Sequence, residues 1–339
     1  MTRVGINGLG RIGRLLARRI SERVDTREAL TIAAANELAD PQTVAHLLKY
    51  DSTHGRFGLK VDVGHGAIKI DGHSVPLMNY SSSEHDFWRA QDVDLVIDCT
   101  GGELDRAAAS QHLGGSVKRV LLSQPGSSDV DATIIWGLNQ HVLTPSMTVV
   151  SAGSCTSNAL MPILSIMDDA LGINAGIVTT IHSAMNDQPV IDAYHHTDLR
   201  KTRAAFNSVI PVETGLAQGV ERFLPHLGAK IQARALRVPT LNVSSLDVVL
   251  AVDTATSAAD VNRIIKEASQ SFSGVLSVNE EPLASCDFLG MDASCVVDIT
   301  QTQVSGGQLI KLMLWFDNEW AFTNRMVDIA IAMSKFSDD

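Results

Sequence analysis

Residues 4–13 read Val4-Gly5-Ile6-Asn7-Gly8-Leu9-Gly10-Arg11-Ile12-Gly13 and join a short apolar strand to the start of a helical pattern. The last six follow the pattern G-x-G-x-x-G, which requires a strand before it and a helix after it, as found here. Such glycines allow a tight turn, close approach of the backbone to a pyrophosphate, and packing of the helix on the strand. The first N–H groups of the helix attract phosphates. This stretch therefore predicts a dinucleotide-binding site on a parallel sheet.

The rest of the chain falls into two regions with different patterns. Strand and helix patterns alternate up to about residue 150, which favours a doubly wound parallel sheet. Longer strand patterns follow, with a helical pattern at 258–272 and another near the end of the chain. We predict an α/β protein in which an N-terminal Rossmann domain precedes an α+β domain with a mostly antiparallel sheet. The predicted domains are residues 1–154, completed by a C-terminal helix at 318–339, and residues 155–317, which include an irregular loop at 183–206.

Composition limits the classes of function. The chain has 339 residues and a formal net charge of −11, which disfavours nucleic acid as a partner because that needs a basic face. The four cysteines form no C-x-x-C pair, so neither disulfides nor a zinc site is expected. No apolar run reaches about 18 residues, so no membrane span is expected. Val4-Gly5-Ile6 runs directly into the glycine motif, so we expect no targeting leader and a cytoplasmic location.

An acidic residue after the second strand bears on the choice of dinucleotide. Asn36-Glu37 stands where a carboxylate accepts hydrogen bonds from the adenosine ribose hydroxyls and repels a 2′-phosphate. We therefore predict NAD rather than NADP as the cofactor. The alternative is that Glu37 is an ordinary surface charge.

A cysteine begins the second region. Ser151-Ala152-Gly153-Ser154-Cys155-Thr156-Ser157-Asn158 leads into an apolar helical pattern, which puts Cys155 at a helix N-terminus. The partial positive charge of that terminus favours the thiolate, which is the nucleophilic form. A nucleophilic cysteine also needs a base, usually a histidine. His182 follows a predicted strand and is the candidate, although most histidines are surface or core residues.

The segments Thr180-Ile181-His182-Ser183, 151–158 and Asp317-Asn318-Glu319-Trp320 resemble phosphorylating glyceraldehyde-3-phosphate dehydrogenases. The resemblance runs from Ile6-Asn7-Gly8 to Asn324-Arg325. Four stretches are most similar to the D-erythrose-4-phosphate dehydrogenase branch: Asn36-Glu37-Leu38-Ala39-Asp40, Ala45-His46-Leu47-Leu48-Lys49-Tyr50-Asp51, His182-Ser183-Ala184-Met185-Asn186-Asp187-Gln188, and Thr300-Gln301-Thr302-Gln303-Val304-Ser305-Gly306.

The resemblance implies a mechanism and a set of site residues. Cys155 would attack a phosphorylated aldose and form a thioester, with His182 as general base. The implied NAD-binding residues are Gly8, Gly10, Arg11, Ile12, Gly13, Asn36, Glu37, Thr100, Gly101, Ser123 and Asn318. The implied substrate- and phosphate-binding residues are Ser154, Thr156, Asp187, Lys201, Thr214, Gly215 and Arg237. Inorganic phosphate or water would cleave the thioester, and the family implies a homotetramer.

The substrate stays open between two aldose phosphates. Met185 stands where glyceraldehyde-3-phosphate dehydrogenases usually carry a phosphate-binding threonine, and the erythrose-phosphate branch also has methionine there. Thr214-Gly215 follows the glyceraldehyde-phosphate pattern instead. We expect D-erythrose 4-phosphate first and D-glyceraldehyde 3-phosphate second. An NAD-binding regulatory protein without catalytic activity is the alternative from another class.

His195-His196, Asp192 and Asp198 imitate a metal cluster within the irregular loop. They lack the helical i, i+4 spacing of paired metal ligands. We therefore expect no metal.

Overall fold

The computed structural model describes residues 1–81, 85–102, 105–195 and 198–336. The chain forms two compact units. The first contains Met1–Ser154 and Phe322–Asp339, and the second contains Cys155–Ala321.

The first unit is built on a twisted, mostly parallel sheet. Its strands are β1 (Thr2–Asn7), β2 (Leu30–Asn36), β3 (Tyr50–Asp51), β4 (Gly55–Arg56), β5 (Val61–Gly64), β6 (Ala67–Ile70), β7 (His73–Met78), β8 (Leu95–Asp98), β9 (Arg119–Leu122), β10 (Ala132–Thr133) and β11 (Val149–Ser151). Its helices before residue 154 are α1 (Arg11–Glu22), α2 (Val24–Ala29), α3 (Pro41–Lys49), α4 (His85–Ala90) and α5 (Arg106–Ser110).

The order of these strands creates a switch point beside β1. The main sheet runs β10-β11-β9-β8-β1-β2-β7-β6-β5, and β3 and β4 pair with each other in a separate sheet. The chain thus leaves β1 for β2 on one side and later returns to β8 on the other. The pairs of β1 with β2 and with β8 are both parallel. Ligands of doubly wound sheets bind at the carboxyl ends of the strands at such a point. The predicted Rossmann fold is confirmed.

Local sequence explains these elements. The strands β2 and β8 are buried almost throughout, which is typical of parallel strands covered on both faces. The helix α1 buries Leu15, Leu16 and Ile20. The side chain of Asp40 caps α3 by accepting the N–H of Thr43, and Pro41 fills the first turn.

The second unit has a mixed, mostly antiparallel sheet. Its strands are β12 (Ile173–His182), β13 (Ile210–Val212), β14 (Ile231–Arg237), β15 (Ser244–Val252), β16 (Leu276–Asn279), β17 (Cys295–Asp298), β18 (Gln303–Ser305) and β19 (Leu309–Phe316). Its helices are α6 (Cys155–Leu171), α7 (Leu216–Phe223) and α8 (Ala258–Ser271). The sheet order is β13-β14-β12-β15-β19-β17-β16, with β18 beside β19. The predicted fold class of this region is also confirmed.

Burial in this sheet is one-sided. The strands β15 and β19 alternate between buried and partly exposed positions along most of their length, as expected when one face packs on a core. The helix α6 buries most of its residues, from Ser157 to Leu171. The core of the second unit therefore lies between this helix and one face of the sheet.

The last helix differs from its prediction. The helix α9 spans Trp320–Ser334 instead of starting at residue 318, and residues 337–339 of the predicted helix lie outside the described residues. Asn318 and Glu319 form a turn that leads into the helix. The buried carboxylate of Asp317 accepts the N–H groups of Glu319 at 3.0 Å and Trp320 at 2.8 Å.

Candidate active site

Backbone geometry and a backbone hydrogen bond hold the glycine turn at residues 8–13 of the first unit. Gly8 has a φ of +90° and donates its N–H to the carbonyl of Asn36 at 2.8 Å. A Cβ on Gly13 would lie 1.9 Å from the carbonyl oxygen of Gly8, so the helix can approach the strand only with glycine there. A Cβ on Gly10 would meet nothing within 4 Å. Gly10 therefore borders open space, as a backbone that receives a ligand does.

The start of α1 suits a bound pyrophosphate. Its N-cap is Gly10, and among the described residues no side chain caps it and no acidic residue lies in its first turn. The positive end of the helix dipole at such a start favours an anionic ligand. Arg11 turns to Asp51, with its Nη1 2.5 Å from the carboxylate.

A cavity of 580 Å³ opens beside this turn, which is room for a large ligand. Five of the predicted cofactor residues line it: Gly8, Gly10, Asn36, Glu37 and Thr100. The carboxylate of Glu37 already accepts the N–H of Leu9 at 2.8 Å, of Leu38 at 2.7 Å and of Ala39 at 3.3 Å. Because a carboxylate offers about four acceptor positions, it can still receive a ribose hydroxyl.

Ser123 and Gly101 have local roles in this structure. The hydroxyl of Ser123 donates to the side chain of Gln124 at 3.0 Å. Gly101 adopts a φ of +76°, which favours glycine. Ile12 is half-buried in the first turn of α1. For these three residues the predicted contact with the cofactor stays a prediction.

The motifs did not predict a buried polar network that lines the cavity. Asn7 and Asp98 end neighbouring strands and are paired in register. The amide of Asn7 donates to Asp98 Oδ2 at 2.7 Å, and His112 Nε2 lies 3.2 Å from the same oxygen. Trp88 Nε1 donates to His112 Nδ1, so a neutral His112 donates from Nε2 to the carboxylate. The sequence could have indicated this network, because the buried strands β1, β2 and β8 each end in a polar residue, namely Asn7, Asn36 and Asp98.

In the second unit, Cys155 and His182 face each other. Cys155 is the first residue of α6 and His182 the last of β12, and Cys155 Sγ lies 3.9 Å from His182 Nε2. His182 Nδ1 lies 2.8 Å from the carbonyl oxygen of Ser183, which can only accept, so Nδ1 carries the hydrogen. The unprotonated Nε2 of the neutral ring therefore faces the sulfur. The ring also packs edge-on against Phe316, with centroids 6.4 Å apart.

Opposing influences act on the ionisation of this pair. Burial raises the pKa of the Cys155 thiol, although the Thr156 hydroxyl and the backbone N–H groups at the helix terminus act in the opposite direction. Burial also lowers the pKa of His182. Desolvation thus opposes the helix terminus at the sulfur, and the thiolate stays a prediction. The imidazole Nε2 is placed to accept the thiol proton.

Three charged side chains are linked by ion pairs near the end of β14. Arg237 stands opposite His182 in the parallel register of β14 and β12. Its Nη1 lies 2.8 Å from Asp187 Oδ1, and Asp187 Oδ2 lies 3.0 Å from Lys201 Nζ. Burial raises the pKa of Asp187, but the hydrogen bonds from Arg237 and Lys201 outweigh it and lower the pKa overall. The structure thus brings together three of the predicted phosphate-site residues.

The other predicted phosphate-site residues make local contacts. The hydroxyl of Thr156 lies 3.8 Å from Cys155 Sγ. Thr214 Oγ1 accepts the N–H of Leu216, and Gly215 is the N-cap of α7. Ser154 is the last residue of the first unit's main segment.

Asn318 is held by two serines that the sequence analysis did not single out. Its Oδ1 accepts hydrogen bonds from Ser183 Oγ at 3.0 Å and Ser244 Oγ at 2.8 Å. All three side chains are buried. The signal that was available was a polar residue at the ends of β12, β15 and β19, three strands that lie side by side.

The loop with the apparent metal cluster has other contacts. His195 Nδ1 accepts the N–H of Asp198 at 3.1 Å, and Asp192 pairs with Arg203 at 2.5 Å. His196 lies outside the described residues. Within the part of the chain that the structure describes, no group of three or more His, Cys, Asp or Glu side chains could hold a metal ion.

The helices give no sign of a membrane span. None of those in the described residues is both long enough and apolar enough to cross a bilayer.

Comparison with protein families agrees with this division of the chain. A model described as the NAD binding domain of glyceraldehyde 3-phosphate dehydrogenase matches residues 2–106. A second, described as the C-terminal domain of glyceraldehyde 3-phosphate dehydrogenase, matches residues 154–318. The two matches include the glycine turn, Cys155, His182 and Asn318.

Proposed function

Because the chain belongs to the glyceraldehyde 3-phosphate dehydrogenase family, with its NAD-binding and C-terminal domains, we propose that it oxidises D-erythrose 4-phosphate to 4-phosphoerythronate. It is an NAD-dependent oxidoreductase of that family. The observation that carries the chemistry is the approach of Cys155 Sγ to His182 Nε2 at 3.9 Å. A regulatory protein without activity would have no need of an acceptor nitrogen aimed at a thiol.

The residues on the first unit fit NAD. Gly10 leaves open space beside the uncapped start of α1, and Glu37 borders the adjoining cavity. These residues would hold the pyrophosphate and the adenosine ribose, and Asn318 would hold the nicotinamide carboxamide. When bound, NAD supplies the acceptor for the aldehyde hydrogen, which leaves as hydride.

The Cys155–His182 pair performs the covalent steps. Cys155 Sγ attacks the aldehyde carbon while His182 Nε2 takes the thiol proton and passes it to the carbonyl oxygen, which becomes the hydroxyl of the thiohemiacetal. His182 next accepts the hydroxyl proton as the hydride departs, which leaves a thioester. Water then releases the acid and restores the thiol, whereas inorganic phosphate would release an acyl phosphate.

The phosphate of the substrate would bind at Arg237 and Lys201. A guanidinium fork matches phosphate geometry, and Lys201 adds a point charge. Asp187 lies between these cations, so binding must rearrange its bonds. The side chain of Met185 in this segment is 45% exposed and offers no hydrogen-bond donor. The missing donor, together with the four matching stretches, favours the longer aldose phosphate.

D-Glyceraldehyde 3-phosphate is the second candidate. Thr214 and Gly215 at the start of α7 follow the pattern of enzymes that use it. With this substrate, inorganic phosphate would cleave the thioester and the product would be an acyl phosphate.

The test compares kcat/KM for the two aldose phosphates, each with and without inorganic phosphate. The proposal expects a higher value for D-erythrose 4-phosphate and turnover without phosphate. A higher value for D-glyceraldehyde 3-phosphate together with a strict phosphate requirement would favour the second candidate. If neither substrate reduces NAD, the remaining candidate is an NAD-binding regulatory protein without catalytic activity.

A homotetramer in the cytoplasm completes the proposal. The segment after β12 exposes Val190, Ile191, Tyr194 and Leu199, each more than 70% accessible. Exposed apolar clusters of this kind mark protein interfaces. The four cysteines are free thiols, as in a reducing compartment. Sedimentation equilibrium should give four times the monomer mass, and a monomer would refute the assembly.

A further inference from the structure

Two fully buried serines connect the base to Asn318. Ser183 directly follows His182, and Ser244 opens β15, the strand between β12 and β19. Both serines are 0% exposed, and Asn318 is 8% exposed. The antiparallel register pairs Ser244 with Phe316, two residues before Asn318. Sheet geometry therefore fixes the three side chains in one cluster.

The hydrogen bonds in this cluster have a defined direction. Ser244 Oγ accepts the backbone N–H of Ser183 at 3.1 Å and donates its own hydrogen to Asn318 Oδ1 at 2.8 Å. Ser183 Oγ donates to the same Oδ1 at 3.0 Å. An amide oxygen has two lone pairs, and both are used. Asn318 can therefore offer a ligand only the N–H groups of its Nδ2.

The same cluster sets the tautomer of the base. The carbonyl oxygen of Ser183 accepts the Nδ1 hydrogen of His182 at 2.8 Å. The backbone N–H of Ser183 donates to Ser244 Oγ. Both the N–H and the carbonyl group of Ser183 are therefore fixed by hydrogen bonds. A rotation of Ser183 would disturb the imidazole and the Asn318 amide together.

We propose that Ser183 and Ser244 are positioning residues that hold Asn318 as a hydrogen-bond donor, so that the chain recognises the nicotinamide carboxamide through its carbonyl oxygen. This inference rests on the proposed function, because it assumes that Asn318 meets the nicotinamide. Without the serine hydroxyls, the amide can turn over and present its oxygen. The ligand would then meet a mixture of donor and acceptor.

Binding to the unmodified protein gives the first test. Calorimetry would compare NAD, ADP-ribose, which lacks nicotinamide, and 3-acetylpyridine adenine dinucleotide, which keeps the carbonyl oxygen but has methyl in place of the amide nitrogen. The ratio of Kd for ADP-ribose to Kd for NAD measures the contribution of the nicotinamide half. We expect the acetylpyridine analogue to keep most of that contribution. An analogue that binds as weakly as ADP-ribose would overturn the proposal.

The second test measures the ratio of Kd for ADP-ribose to Kd for NAD in variants of the protein. Ser244→Ala should lower it by roughly tenfold, the effect of losing one well-made hydrogen bond. Ser245→Ala is the matched control, because Ser245 is only 3% exposed but stands at the next position and faces the other side of the sheet. It should leave the ratio unchanged. In an Asn318→Ala background, Ser244→Ala should add nothing, since the coupling requires the amide.

The outcomes separate this inference from the proposed function. If Asn318→Ala lowers the ratio but Ser244→Ala does not, the serines are not positioning residues and the cofactor placement stands. If Asn318→Ala also has no effect, the placement of nicotinamide is wrong and the inference falls with it. Thermal unfolding checks that each variant is folded. If Ser244→Ala does not fold, the binding of the NAD analogues to the unmodified protein provides the test.

Discussion

The glycine turn and the Cys155–His182 pair use the chain in opposite ways. At the turn, function depends on the absence of side chains, because a Cβ on Gly13 would lie 1.9 Å from the Gly8 carbonyl oxygen. In the second unit it depends on two side chains whose atoms approach to 3.9 Å. Binding and chemistry should therefore respond to different substitutions, and each of the following variants tests that separation.

Cys155→Ser should have the largest effect. A serine hydroxyl ionises far less readily than a thiol, so we expect kcat to fall by about 10³-fold or more while the Kd of NAD changes little. Absorbance of NADH gives the first quantity and calorimetry the second. Cys286→Ser, at an exposed free cysteine, is the control and should keep full activity. Loss of NAD binding in Cys155→Ser would mean that the two regions are not separable.

His182→Asn should lower kcat by about 10²- to 10⁴-fold, the usual contribution of a general base. It should also raise the pH at which iodoacetamide alkylates Cys155 half-maximally. Burial raises the pKa of this thiol, and the imidazole is the neighbouring acceptor, so its removal leaves the sulfur harder to deprotonate. His226→Asn, at a histidine paired with Asp168, should leave the alkylation profile unchanged. An unshifted profile for His182→Asn would remove the imidazole from the mechanism.

Gly13→Ala and Gly10→Ala divide the turn into two roles. Gly13→Ala forces the helix away from β1, and we expect a loss of about 2–3 kcal/mol in the free energy of unfolding. Gly10→Ala meets no atom within 4 Å and should change stability by less than about 1 kcal/mol. It should still weaken NAD binding, because its methyl group would occupy the approach of the pyrophosphate. Thermal unfolding and calorimetry measure the pair, and equal effects of both variants on both quantities would contradict this division.

What the sequence could predict follows the same contrast. The requirement for glycine at positions 8 and 13 is local, so the motif predicted the strand, the turn and the helix. The pairing of Cys155 with His182, which are 27 residues apart, came from family resemblance and not from spacing. The helix terminus at Cys155 can be seen in the sequence, whereas the burial that raises the pKa of its thiol arises from packing.

The hydrogen-bonded clusters around Asp98 and Asn318 could not be predicted from the sequence for a related reason. Asn7 meets Asp98, and Ser244 meets Asn318, only through the register of neighbouring strands. Sequence patterns indicate that a strand exists, but they do not say which residue stands opposite which.

Asp51→Asn is expected to have the smallest effect, and it tests whether side chains also support the turn. Asp51 accepts hydrogen bonds from Arg11 at 2.5 Å, Thr53 at 2.9 Å and His54 at 3.0 Å. Burial opposes ionisation, but these bonds prevail and lower the pKa of Asp51 to about 2. We expect Asp51→Asn to reduce the free energy of unfolding at pH 7 by about 1–2 kcal/mol after allowance for solvent screening.

The pH dependence gives this prediction its sign. Because the folded pKa lies below the unfolded value of 3.8, the stabilisation is fully present above about pH 4 and is lost as the pH falls towards 2. Denaturant unfolding at several pH values should show the variant and the parent converging at the acid end. Asp62→Asn, at an exposed residue, should differ little from the parent throughout. If Asp51→Asn lowers stability but leaves NAD affinity intact, the turn is held for binding by its backbone alone, whereas a matching loss of affinity would make Arg11 and Asp51 part of the site.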